Sequence, residues 1–397
     1  MTNTVQSVPV VLPSGAIPAW PQYDDQERAA LGRALDQGQW WRLGGQEVEL
    51  FEAEFAEANG APRALAVVNG TAALELALRI HRIGPGDEVI VPAFTFISTS
   101  LAVQNVGATP MPTDVDPRTM CMRAEDVERM ITSRTKAVIP VHMAGQVSDM
   151  QSIEAIANAH DLVVIQDAAH APLASRDGKL TGARSSVACH SFQNGKLMTA
   201  GEGGALTLPS DELFERAYLM HTCGRPRDDV TYRHVTAGGN YRMNEFSAAV
   251  LRTQLQRLHR DLNTRSERAM QLNRIVDEIP GISRQMVDDA VDVNPYYMYL
   301  LMLEESFTSQ QRDQLVELLK QAGLTACVDF PPVYRTKTFQ SGPKPDLNID
   351  ELAHKCPTSE AMGTRGLWLA HKILLAEPTT IELIGALLED LVRRIRG

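Results

Sequence analysis

Between Asn69 and Leu208, short apolar runs bounded by turn residues alternate with stretches of helical spacing, a pattern few architectures tolerate. The runs at 88–92, 110–114, 137–142, 162–167, 187–192 and 205–208 read as strands. The intervening stretches 72–82, 98–106, 124–132 and 150–160 read as helices. Such alternation predicts an α/β domain with a mostly parallel sheet covered by helices. From Glu245 to about Ile279 the chain is long, charged and helical in period, until Pro280-Gly281 breaks it. This stretch reads as the bridge to a second unit. Beyond it come a strand at 296–303, a helix at 309–322, an irregular Pro/Gly-rich segment at 331–345 and a final helix at 380–396, which together describe a smaller α+β domain. At 397 residues the chain exceeds the usual size of one hydrophobic core. The expected organisation is an N-terminal arm (1–25) lying over another surface such as a partner subunit's, a large domain (26–265) and a small C-terminal domain (266–397).

Composition narrows the class. With 44% hydrophobic and 22% charged residues the chain is an ordinary globular protein. No apolar run approaches the roughly 20 residues that cross a bilayer, and no Lys or Arg precedes Arg28 to form the charged start of a signal peptide. A cytoplasmic protein without membrane contact is expected. A net charge of -11 repels phosphate backbones, so nucleic acid is not an expected partner. The five cysteines are scattered and never form a C-x-x-C pair, which indicates reduced thiols rather than a disulfide framework or a metal site.

In open α/β sheets, ligands bind outside the carboxyl ends of the strands, so polar residues that close apolar runs carry the most information. Asp167 closes LVVIQD, His142 closes AVIPVH, and Ser191 and Lys196 lie in VACHSFQNGK ahead of the turn Gly201–Gly204. Alone, a strand-end aspartate is a turn former and a lysine is a solvated surface group. Together at one sheet edge they suit pyridoxal 5′-phosphate (PLP). A lysine that burial deprives of its proton condenses with an aldehyde, and a carboxylate keeps a pyridine nitrogen protonated. Asn69-Gly70-Thr71-Ala72 opens a helix whose free N–H groups offer a phosphate seat. Phe94 and Phe96, following the strand EVIVPA, offer an aromatic face. A dinucleotide site is the rival for an α/β chain, but Gly84-Pro85-Gly86 precedes a strand and Gly201–Gly204 is not followed by a helix, so the required context is missing.

These residues resemble the DegT/StrS-type PLP-dependent sugar and cyclitol aminotransferases, of PLP fold type I (aspartate aminotransferase-like). The markers are VVNGTAALELAL (67–78), VIVPAFTFIST (89–99), TDVD (113–116), PVHMAG (140–145), QDAAHA (166–171), SFQNGKLMTAGEGGAL (191–206), GGNYRMNEFSAAVL (238–251) and CPTSEA (356–361). Within the family, PAWPQYDD (18–25), QGQWWRLGGQEV (37–48) and CGRPRDD (223–229) resemble the 3-amino-5-hydroxybenzoate (AHBA) synthases. The resemblance implies Lys196 as Schiff-base lysine and proton shuttle, Asp167 as partner of the ring nitrogen and His170 beside the phenolic oxygen. It implies Phe96 stacked on the ring and Gly70, Thr71, Ala72 and Ser191 around the phosphate. Asn240 would reach the phosphate of the neighbouring subunit, making a homodimer part of the site. Arg42, Tyr241, Arg242 and the segment from Cys223 to Arg225 are candidates for the substrate wall.

The implied activity is dehydration and aromatisation of an aminodehydroshikimate-type ring for ansamycin-type antibiotics. The alternative is transfer of an amino group from glutamine or glutamate to a keto-sugar or keto-cyclitol. One departure stands out: where the AHBA group has His-Ala-His-Gly-Ala, this chain has His170-Ala171-Pro172-Leu173-Ala174. If the second imidazole of that run meets substrate, Pro172 and Leu173 change the substrate or the chemistry.

Overall fold

The structure is a computed structural model that describes residues 11–227, 229–346 and 348–396. The first ten residues of the expected arm lie outside the described residues.

A seven-stranded sheet forms the larger layer. Its strands are β1 (Arg63–Val67), β2 (Glu88–Pro92), β3 (Thr109–Thr113), β4 (Thr135–Val138), β5 (Val163–Asp167), β6 (Val187–Ser191) and β7 (Gly204–Leu208). They lie in the order β1-β7-β6-β5-β4-β2-β3. Strands β2 to β6 are parallel, and β7 runs antiparallel to both its neighbours. Every residue of β2 and β7 is buried, as expected of strands covered on both faces. The expected run at 137–142 is shorter as a strand because Pro140 has no N–H for the ladder. The chain nevertheless stays beside β5, with Asp167 N–H donating to Pro140 O at 2.9 Å and His142 N–H to Asp167 O at 3.1 Å.

Helices α1 (Asp25–Asp36), α2 (Glu47–Ala58), α3 (Gly70–Ile80), α4 (Ser98–Asn105), α5 (Ala124–Met130), α6 (Met150–Ala159) and α7 (Asp211–His221) belong to this layer. Helices α1 and α2 and strand β1 lie upstream of the alternation and were not expected from it. Helix α3 starts where it does because the Asn69 side chain accepts from Ala72 N–H at 2.8 Å, a standard N-cap. Its Leu74, Leu76, Leu78 and Ile80 then pack against Leu65, Val89, Val91 and Ile165 of the sheet.

The 32-residue helix α8 (Glu245–Val276) joins two cores. Its Leu251, Leu255 and Leu258 pack with Phe51, Phe55 and Phe192, while Leu272 and Val276 enter the C-terminal core. That core is built on an antiparallel sheet of β8 (Ile282–Arg284), β9 (Met298–Leu303), β10 (Ala326–Val328) and β11 (Gly366–Ala370), in the order β8-β9-β11-β10. Helices α9 (Ser309–Gln321) and α10 (Pro378–Arg396) cover it. Along α10 the buried Ile381, Ile384, Leu388, Leu391 and Ile395 recur at three and four residues, the spacing of one helix face. The described part of the N-terminal segment lies against its own chain: Leu12 N–H donates to Ala322 O at 3.0 Å, and Leu12 joins the C-terminal core.

No described helix is long and apolar enough to cross a membrane.

Candidate active site

Strand polarity brings the carboxyl ends of β1, β5 and β6 to one edge, together with the start of the reversed β7. A cavity of about 490 Å³ opens there. Lys196 enters it from the turn after β6, whose shape is set by two bonds to Gln193: Lys196 N–H to Gln193 O and Gly195 N–H to Gln193 Oε1, both at 2.8 Å. The Lys196 ammonium lies 4.2 Å from the centroid of the Tyr297 ring. Burial lowers its pKa to about 8, against the opposing pull of Asp167.

Asp167 closes β5 at the cavity wall with 5% of its surface exposed. Its Oδ2 accepts from Thr99 Oγ1 at 2.8 Å and its Oδ1 from Ala169 N–H at 3.2 Å. Burial still pushes its pKa up, so these bonds and Lys196 compensate its charge only in part. His170 accepts the Ala144 N–H at Nδ1 (3.4 Å), which leaves Nε2 to carry the ring proton. Its imidazole stacks on Tyr297 at 4.3 Å, and burial holds it well below the usual imidazole range, hence neutral.

The opposite end of the cavity is the N-terminus of α3. Gly70, Thr71, Ser98 and Ser191 line it, with Thr71 Oγ1 donating to Ser98 Oγ at 3.0 Å. The first amides of a helix have no intrahelical acceptor and face an anion favourably. Two glycines keep this corner open. A Cβ at Gly70 would sit 2.9 Å from Ser191 Cβ, and one at Gly204 would sit 2.5 Å from Asn69 O.

These features fit PLP. A buried carboxylate short of compensating charge suits a protonated ring nitrogen, the α3 corner suits a phosphate, and Phe96, half exposed and lining the cavity, offers a ring face. Phe94, two residues away, is fully buried in the core.

The remaining candidates lie elsewhere. Ala72 does not line the cavity, and its N–H is already given to Asn69. Arg42 is buried in a separate hollow, bonded to Glu52 at 2.7 Å and resting over Tyr218. Asn240 is exposed, Arg242 pairs through its backbone with Val67, and Tyr241 packs against the large core; none reaches the cavity of its own chain. Cys223 and Arg225 belong to a loop held by Gly239 O and Asp229 O. His142 is a core residue between Gln166 and Ser148.

Pro172 and Leu173 are buried and line no part of the cavity. Leu173 packs with Phe192, Leu197 and Met198 behind the lysine turn, at φ +62. That conformation costs about 1–2 kcal/mol for a leucine, and burial of its side chain, about 2 kcal/mol, offsets it. The departure from the AHBA pattern therefore alters packing, not the cavity wall.

Sequence reasoning missed Tyr297, Phe330, Trp368, Gln193 and Glu202, which all line the cavity. Gln193 and Glu202 flank Lys196 and were within reach of a local reading. Phe330 and Trp368 come from the C-terminal unit, and no spacing links them to Lys196.

The phosphate seat makes a direct prediction. Gly70→Ala should lower PLP affinity about 10- to 100-fold, the worth of one or two bonds to a charged group. Titration of the cofactor-free protein with PLP, followed by absorbance, measures it, and unchanged affinity would place the phosphate elsewhere.

Comparison with known proteins agrees with this geometry. The DegT/DnrJ/EryC1/StrS aminotransferase family matches residues 22–388. The chain is 48% identical over 379 residues to 3-amino-5-hydroxybenzoate synthase of Amycolatopsis mediterranei, covering 95% of this chain and 97% of that one. It is 35% identical over 379 residues to GDP-perosamine synthase of Caulobacter vibrioides, covering 94% and 98%. A crystal structure of AHBA synthase superposes with a TM-score of 0.94 at 48% identity, over 95% of this chain and 99% of that one. The chain belongs to the DegT/DnrJ/EryC1/StrS aminotransferase family and is a PLP-dependent enzyme of fold type I.

Proposed function

We propose that the enzyme acts as an AHBA synthase, removing water from an aminodehydroshikimate-type ring and leaving it aromatic, as for an ansamycin-type antibiotic. The 48% identity to an AHBA synthase along nearly the whole chain carries this reading. The cavity supports it. Phe96, Tyr297, Phe330 and Trp368 suit a flat six-membered ring.

Bound PLP supplies a ring that accepts electrons from a substrate carbanion. Gly70, Thr71 and Ser191 would hold its phosphate, Phe96 its face, His170 Nε2–H its phenolic oxygen and Asp167 its protonated nitrogen. Lys196 does the proton work: Nζ accepts the proton leaving carbon and returns it to the departing hydroxyl, so that the net loss is one water. In the cofactor-free chain burial already lowers the Lys196 pKa to about 8, which favours the neutral amine this proton work needs.

The working unit we infer is a homodimer, in which Asn240 of one chain reaches the phosphate seat of the other, with Tyr241 and Arg242 beside it as candidates for the substrate wall. Support comes from the exposed apolar surface nearby, with Val230, Tyr232 and Val235 at 85%, 71% and 58% exposure, the kind of patch that a partner covers.

Transfer of an amino group to a keto-sugar is the second reading, favoured by the 35% identity to GDP-perosamine synthase. Incubation of the PLP-loaded protein with an aminodehydroshikimate-type substrate alone, in parallel with glutamine plus candidate ketones, separates them. Aromatic product with no amino donor is expected. Product that appears only with a donor would overturn the dehydratase reading.

A further inference from the structure

Three distant parts of the chain hold the Lys196 turn from behind, without lining the cavity. His371, just past β11, is 4% exposed. Its Nε2 lies 3.2 Å from the carbonyl of Gly195, the residue before Lys196. Its Nδ1 lies 3.1 Å from Nη1 of Arg265 on α8, which also donates to the His371 carbonyl at 3.0 Å. Arginine can only donate, so Nδ1 must accept and the imidazole proton must sit on Nε2, facing Gly195 O. A second proton on His371 would set N–H against N–H.

Arg265 is fully buried, and its Nε and Nη2 have no hydrogen-bond partner among the described residues; the Trp20 ring, 5.7 Å from the guanidinium, and the charge of Asp261 compensate it in part. Burying a guanidinium this way is costly, which suits a residue kept for more than packing. Burial and the charge of Arg265 hold His371 well below the usual imidazole range, so the Nε2–H donor persists at working pH. Trp20 completes the brace. It meets His371 edge-on at 4.4 Å and donates Nε1–H to Asn194 O at 3.0 Å. Tyr297, under the Lys196 ammonium, lies 6.0 Å from the His371 ring on one side and 4.3 Å from His170 on the other.

We propose that His371 is a positioning residue for Lys196: Arg265 fixes its neutral tautomer, its Nε2–H holds the Gly195 carbonyl, and Trp20 seals the contact. The C-terminal unit and the N-terminal segment thereby set where the lysine points. The proposal rests on reading Lys196 as the cofactor's lysine, but its test does not need cofactor.

In the cofactor-free dimer or monomer, whichever the purified protein forms, two quantities are read: amide exchange at Gly195 and Lys196, and the pH profile of Lys196 modification by an amine-directed reagent. His371→Ala should speed exchange at these amides about tenfold, the worth of one hydrogen bond, and shift the Lys196 profile. His371→Gln, which keeps a donor within reach, should restore both in part. Should His371→Ala fail to fold, His371→Phe, which keeps a ring and loses the donor, is compared with His371→Gln in its place. Unchanged exchange and profile, or a change spread over the whole chain that His371→Gln does not reverse, would overturn the proposal. Failure of the cofactor reading would show separately, as PLP binding that ignores Lys196.

Discussion

Lys196→Ala abolishes the visible absorbance of lysine-bound PLP and lowers turnover by at least about a thousandfold, because one side chain supplies both the covalent anchor and the proton carrier. The cofactor still binds weakly through the α3 corner, where Gly70, Thr71 and Ser191 are untouched. The pH behaviour of the parent gives a second handle. Burial lowers the Lys196 pKa to about 8 from 10.5, so in the cofactor-free protein its reactivity toward an aldehyde climbs as pH rises toward 8 and then levels. For stability, a base whose pKa is lowered on folding binds fewer protons folded than unfolded between those values. Stability therefore rises with pH across the window from about 8 to 10.5, and Lys196→Ala flattens that rise. Spectra, steady-state rates and denaturant midpoints at several pH values measure the three effects. Retention of the absorbance in Lys196→Ala would remove the lysine from the site.

Asp167→Asn leaves PLP bound to Lys196 and lowers turnover about 10²- to 10³-fold, the usual loss when a preorganised charge facing developing charge is removed. The substitution is nearly isosteric: the amide oxygen still accepts from Ala169 N–H, while the amide Nδ2–H donates to Thr99 Oγ1, whose own proton can turn to Thr95 Oγ1. Stability should move the other way. Burial raises the Asp167 pKa, so the folded cofactor-free chain binds more protons than the unfolded one, and the parent loses stability as pH rises through and above the ordinary carboxylate range. A neutral amide at this position removes that loss. The cofactor-free variant is thus expected to be at least as stable as the parent at neutral pH while nearly inactive when loaded. Parallel activity and melting measurements check this, and full activity would mean that no carboxylate is needed at the ring nitrogen.

How much of the site was legible in the sequence follows from how local its parts are. Asp167, Ser191 and the Asn69-Gly70-Thr71 turn were visible because each lies where an apolar run or helix begins or ends, and strand ends of a parallel sheet converge on one edge. Lys196 was visible for the same reason, one turn beyond β6. Phe94 and Phe96 illustrate the limit: they sit two residues apart in the same motif, yet one is sealed in the core and the other lines the cavity. The residues that escaped are non-local. Tyr297, Phe330, Trp368 and His371 reach the lysine only because the C-terminal unit packs over the sheet edge, and nothing in their own neighbourhoods marks them. Arg42 misled in the opposite sense. The resemblance made it a candidate for the substrate wall, but Glu52, ten residues on, takes its guanidinium into a different hollow of its own chain. The Pro172-Leu173 departure also changed meaning, from a lost substrate contact to a packing change behind Lys196.

The central claim is that Lys196 is the residue to which PLP is joined. Borohydride reduction of the PLP-loaded protein, followed by digestion and peptide mass spectrometry, tests it most directly. The expected result is a pyridoxyl mass fixed on Lys196 alone and absent from the Lys196→Ala variant; the same mass on a different lysine, or on none, would contradict the account.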